Sequence, residues 1–171
     1  MSETTTSEEA ARTALLEHRA RALAAPRATP DEAALADQME ILLFAIAGER
    51  LAIPLSAMVA IAPVTSITPL PRSVAPVYGV TAWRGRALTV LALGPVQAID
   101  AADRRLIVLG DGRRAAAGLL VGGVDETRTV SRAARGTPAA GPRRAMALGV
   151  TDDAVLVLDA DAMLDSARPE P

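Results

Sequence analysis

From Ile41 onward the chain is written in short apolar runs, each cut off by glycine, proline or charge: ILLFAIAG, RLAIPL, VAIAPV, ALTVLAL, RRLIVLG, AAAGLLVGGV and AVLVLDA. Runs of this length suit β-strands, and their regular recurrence predicts an all-β domain built as small barrels. Turn chemistry points the same way. Gly48-Glu49, Arg84-Gly85 and Asp111-Gly112 fall between runs, and Asp-Gly is the strongest signal because both central residues of a type I′ turn need positive φ. Pro54 lies inside a run and has no N–H to give to a ladder, so its strand is expected at a sheet edge or a bulge. TSITPLPRSVAPVYG reads as an ordered crossing loop, because apolar residues alternate with its prolines. Residues 131–144 lack periodicity and read as a long mobile loop.

The opening of the chain follows a different grammar. Met1 to Thr5 is polar and aperiodic, which predicts disorder. Thr6 and Glu9 have capping-box spacing, and Leu16, Ala20 and Leu23 then share one side of a helix that Pro26 stops. Thr29 and Glu32 repeat the spacing, with Pro30 at the first helical position, and predict a second short helix through about Asp37. At the other end AVLVLDA leads into a helical turn that Asp161 is expected to cap. The expected division is an N-terminal extension over 1–38, a β domain over 39–166 and a flexible tail over 167–171.

Composition excludes several function classes. With 171 residues, half of them hydrophobic, the chain can bury a sizeable core. The net charge is −2 and the 18 basic residues, all arginine, are scattered, so no dense positive field is expected to bind nucleic acid. Cysteine is absent, which removes disulfides and thiolate chemistry and fits a reducing compartment. The opening residues lack the apolar stretch of a secretory signal, and no run reaches the ~20 apolar residues of a bilayer span. A cytoplasmic protein with no membrane insertion is expected.

In order and spacing the β segment resembles the CheW-like domain, over roughly Ile41 to Leu164. LLFAIAG and Leu51-Ala52-Ile53 match the family's opening strand, glycine turn and Tyr-Ala-Ile-like strand. Met58, Val59, Ala60 and Ile61 match its Val-x-Glu-Ile segment, and Gly79 to Gly85 matches Gly-Val-x-Asn-Leu-Arg-Gly. Ala117 to Val124 echoes Val-Gly-x-x-Val-Asp-x-Val, and Val155 to Asp159 with Met163-Leu164 echoes the closing strand and helix. The resemblance implies two SH3-like β-barrel subdomains, no catalysis and no cofactor. It also implies two partners: a CheA-type histidine kinase and the cytoplasmic tips of methyl-accepting chemoreceptors. Four polar positions of the family are small here: Ala60, Ala82, Ala92 and Gly122. Each loses an acceptor or a charge that orients a partner, which suits a divergent partner set such as a pilus or motility chemosensory system.

Candidate contact residues follow from both arguments. Trp83, the only tryptophan, and Arg84 are the residue types that dominate binding hot spots, and Gly85 completes their turn. In a strand their side chains point to opposite faces, so Trp83 serves either as a barrel plug or as an interface anchor. Met58, Val59 and Ile61 match a segment that the family places near its receptor groove, although alternation sends at least one of them into the core. Leu120, Val121 and Val124 form a second candidate face by resemblance to the kinase-pairing surface, while Gly122 and Gly123 suggest a bulge. His18 on the first helix reads as solvated, and Asp159 and Asp161 read as strand-end and cap residues rather than metal ligands. One histidine and no cysteine leave no triad, thiol nucleophile or histidine-rich metal site. The rival expectation is a barrel that binds a small ligand in a closed apolar cavity lined with converging polar groups.

Overall fold

The computed structural model describes residues 37–111, 114–132, 136–137, 141 and 143–167. The two expected N-terminal helices and His18 lie outside the described residues, as does part of the expected 131–144 loop. Eleven strands form two sheets among the described residues. The five-stranded sheet holds β1 (Gln38–Ile46), β2 (Glu49–Pro54), β9 (Val124–Ser131), β10 (Ala147–Val150) and β11 (Leu156–Leu158), in the order β10-β11-β2-β1-β9. The six-stranded sheet holds β3 (Met58–Pro63), β4 (Thr68–Pro69), β5 (Val77–Trp83), β6 (Arg86–Leu91), β7 (Arg105–Gly110) and β8 (Ala115–Val121), in the order β3-β7-β8-β6-β5-β4. These are lobe 1 and lobe 2 of the expected two-subdomain β fold.

Alternation along the strands builds three apolar clusters. On β1, Leu42, Phe44 and Ile46 face one side, where they meet Ile107, Leu109, Leu119 and Val121 of lobe 2 in the largest cluster. Met39, Ile41 and Leu43 face the opposite side and pack with Ala52, Val155 and Val157 into an interior belonging to lobe 1. Lobe 2 has its own interior of Leu88, Val90, Leu106, Val108 and Leu120, closed by Val96 and Ile99. Strands buried on both faces need continuous apolar runs, which explains why β1 and β7 carry the unbroken stretches ILLFAI and LIVL. The lobes are therefore distinct, yet the largest mass of buried side chains lies between them.

Two short crossovers join the lobes. Pro54 ends β2, whose neighbours are β1 and β11 in unshifted register, so β2 is a central strand and neither the edge nor the bulged strand expected from its proline. Pro54 pairs with Ile41 at the last rung and leads directly into the 3-10 turn Leu55–Ala57, where a missing N–H interrupts no ladder. The return crossover is Gly122-Gly123, which links β8 to β9 and is not the bulge inside one strand that was expected. Gly122 N–H donates to the Ala45 carbonyl at 2.8 Å, and Ala45 N–H donates to the Gly123 carbonyl at 3.2 Å.

Other expectations shift by one or two residues. The β1–β2 turn is Ala47-Gly48, at φ 52° and 82°, with Ile46 opposite Glu49, so glycine takes the second turn position rather than the first. The last rung between β7 and β8 is Gly110 with Ala115, which makes their connection four residues long; Gly112 lies outside the described residues. The terminal helix α1 (Ala160–Ser166) is capped by Asp159, whose carboxylate accepts from the backbone N–H groups of Asp161 and Ala162. Asp161 falls in the first turn of the helix.

Candidate functional site

The Gly79 to Gly85 stretch forms most of β5 and the turn that ends it. Trp83 pairs with Arg86 across the β5–β6 hairpin, leaving Arg84 and Gly85 as a two-residue loop at φ 48° and 75°. Two positive φ values match a type I′ turn, whose twist agrees with that of the flanking strands. Gly85 meets this demand freely. Arg84 accepts some backbone strain, because its Cβ crowds the backbone in the left-handed region. In return its guanidinium carbon lies 4.5 Å from the centroid of the Trp83 ring. Arg84 thus folds back over Trp83, correcting the expectation that the two point to opposite faces. Trp83 is half-buried and packs against the interior of lobe 2, so it is both a plug and a platform.

A hollow of about 400 Å³ lies beside this pair, lined by Trp83, Arg84, Arg86, Ala87, Leu88, Arg114 and Ala115. The parallel β6–β8 pairing, with Thr89 opposite Ala117, brings the hairpin alongside the start of β8. Three arginines line the hollow, and none of its described lining residues is acidic. Sequence reasoning missed Arg86 and Arg114, because no local pattern marks a residue that becomes a neighbour only through a long-range strand pairing.

The second candidate segment occupies β3, an edge strand of lobe 2 that β7 and β8 separate from the hairpin in sheet order. Met58 is half-buried against the core between the lobes, and Val59 packs toward the lobe 2 interior. Ile61 is 44% exposed, which makes it the most exposed member of this trio. The third candidate face requires correction. Leu120 and Val121 are fully buried on β8, which is flanked on both sides by β7 and β6, and they serve as core residues. Val124 opens β9 opposite Phe44 and is half-buried against the central core. The expected residues therefore form two separate surfaces, the hairpin tip and the β3 edge, and not one site.

Outside these surfaces, Arg128 on β9 pairs with Asp153 at 3.0 Å, and the Thr151 hydroxyl donates to the same carboxylate at 2.6 Å. The Thr151 hydroxyl, followed by Arg128, holds the Asp153 carboxyl below its ordinary range. This cluster anchors the β10–β11 turn to the edge of lobe 1. Among the described residues, no group of three or more histidine, cysteine, aspartate or glutamate side chains is placed to hold a metal. No described helix is long and apolar enough to cross a membrane.

Comparison with known proteins bears on the fold. The CheW-like domain family model matches residues 40–168, a span that takes in both lobes. The crystal structure of the scaffolding protein TtCheW from Thermoanaerobacter tengcongensis is similar, with a TM-score of 0.59 and 22% sequence identity over 71% of this chain and 84% of that one. No curated protein matches the chain.

Proposed function

This chain belongs to the CheW-like domain family, a family of non-enzymatic scaffolds, and from that premise we propose that it couples chemoreceptors to a CheA-type histidine kinase in a signalling array. The family match across both lobes carries the reading. The exposed hairpin tip supports it, since Arg84 presents a guanidinium above an aromatic platform, a combination common at binding hot spots.

The action is positional. A chain bound to the kinase and to a receptor tip raises their local concentration and restricts their mutual orientation. A change in the receptor then shifts the kinase between its states by the difference in coupling free energy. Arg84, Trp83 and Gly85 supply one grip, and Ile61 with the flanking Met58 and Val59 supplies another. The small residues at Ala60, Ala82, Ala92 and Gly122 favour a divergent array, such as one serving a pilus or another motility system.

Arg84→Glu provides the test. The turn is exposed, so the variant is expected to unfold with wild-type cooperativity while its capture of receptor-tip and kinase fragments from the same genome drops about tenfold or more. Unchanged capture of both fragments by a folded variant would refute the role of the hairpin tip.

A further inference from the structure

Arg114 lines two concavities at once. The first is the arginine-lined hollow at the hairpin tip. The second, about 440 Å³, lies at the boundary between the lobes and is lined by Ala57 of the first crossover, Gly110 at the end of β7, Asp111 after it, and Ala160, Asp161 and Leu164 of α1. Arg114 therefore joins a surface of lobe 2 to one that both lobes build.

Its position is set by the backbone. Arg114 N–H donates to the Asp111 carboxylate at 2.8 Å. The Arg114 carbonyl oxygen lies 1.9 Å from the place a Cβ on Gly110 would occupy, so only glycine at 110 lets the loop close this way. Charge separates the two concavities. The first gathers Arg84, Arg86 and Arg114 with no acidic lining residue among those described, in a chain whose net charge is −2. The second adds small side chains and Leu164, with Asp111 and Asp161 on its wall. The three arginines thus attract carboxylates to the first hollow, whereas Asp111, beside Arg114, and Asp161 repel them from the second, whose alanines leave room for an apolar body.

We propose that Arg114 is a further partner-binding residue, and that the paired concavities take an acidic segment of a partner protein, its carboxylates among the three arginines and its apolar side toward Leu164. The partner's identity rests on the scaffold reading above, and its charge rests on the surface itself.

Fluorescence anisotropy tests this with the full chain and two labelled peptides of equal length, one of glutamate and alanine, the other of lysine and alanine. The acidic peptide is expected to bind and the basic one not. Binding should weaken when ionic strength rises to about 0.15 M, where the screening length falls to about 8 Å. Arg114→Glu is expected to weaken binding about tenfold, and Arg114→Lys to retain most of it, which separates charge from any folding defect in the reversed variant. Equal binding of both peptides, or a folded Arg114→Glu that binds as the wild type does, overturns the proposal. Capture of a receptor-tip fragment is measured in parallel. If wild type and Arg114→Glu capture the tip equally, the role of Arg114 fails while the scaffold reading stands. If the wild type captures no tip but holds the acidic peptide through Arg114, the scaffold reading fails and the acidic site remains.

Discussion

Lobe 2 is one uninterrupted stretch of chain, from β3 to β8, whereas lobe 1 is assembled from two pieces on either side of it. In lobe 1, β2 meets β11 in a parallel pair that sets Leu51 beside Leu156, so its sheet is complete only after the whole of lobe 2 has been threaded between them. The larger cluster of buried side chains then lies on the face the lobes share, and not inside either. This nesting, with the shared core, predicts that the two lobes unfold together. It also divides the labour: lobe 2 carries the hairpin tip and the β3 edge, while lobe 1 contributes α1 and holds the two ends of the inserted segment together.

The largest expected effect tests that interdependence. Phe44 is fully buried on the lobe 1 side of the shared core, and Phe44→Ala is expected to cost about 3–5 kcal/mol. Trp83 reports on lobe 2 alone, so its fluorescence and the far-UV circular dichroism should give one coincident urea transition at a lower midpoint. A Trp83 signal that outlasts the loss of overall β structure breaks the comparison, since lobe 2 would then stand without its neighbour.

A smaller effect is expected at Arg143, a polar clasp between the lobes. Its guanidinium donates to the Leu93 carbonyl after β6, from Nη2 at 2.7 Å and Nε at 3.2 Å, and pairs with Glu49 at the start of β2. Arg143→Ala should lower stability by about 1–2 kcal/mol at an unchanged denaturant slope, and Glu49→Gln by less, because Glu49 is the more exposed partner. An unaltered midpoint for Arg143→Ala would assign the joining of the lobes to apolar packing alone.

The smallest effect belongs to lobe 1 by itself. Because its folded pKa is depressed, Asp153 contributes stability above the ordinary carboxylate range and loses it as pH falls through its lower folded value. Titrating the unfolding midpoint from pH 6 to pH 3 should therefore show a steeper loss in the wild type than in Asp153→Asn. Parallel curves would show that the Thr151 and Arg128 contacts do not favour the charged form in solution.

Much of the architecture is legible in local pattern. Strands buried on both faces, such as β1 and β7, announce themselves as continuous apolar runs, and Arg84-Gly85 marks its hairpin correctly. β9 was missed for a physical reason: VDETRTVS is an edge strand with several exposed side chains, so its state depends on pairing with β1 rather than on apolar periodicity. The two-residue β4 was hidden for the same reason, since it exists by pairing with β5. Leu120 and Val121 looked like surface by family resemblance, but a strand flanked on both sides has no free face when each side is packed.

The sequence alone determined the all-β class, the hairpin with Trp83, Arg84 and Gly85 at its tip, and the lack of any cysteine. Each is a property of neighbouring residues or of composition. Tertiary structure decided that Pro54 and Gly122-Gly123 are crossovers between lobes, that the main core lies between two sheets, and that Arg114 joins Arg84 and Arg86 around one hollow. Those features rest on parallel pairings between distant segments, and packing selects such pairings where local periodicity is silent.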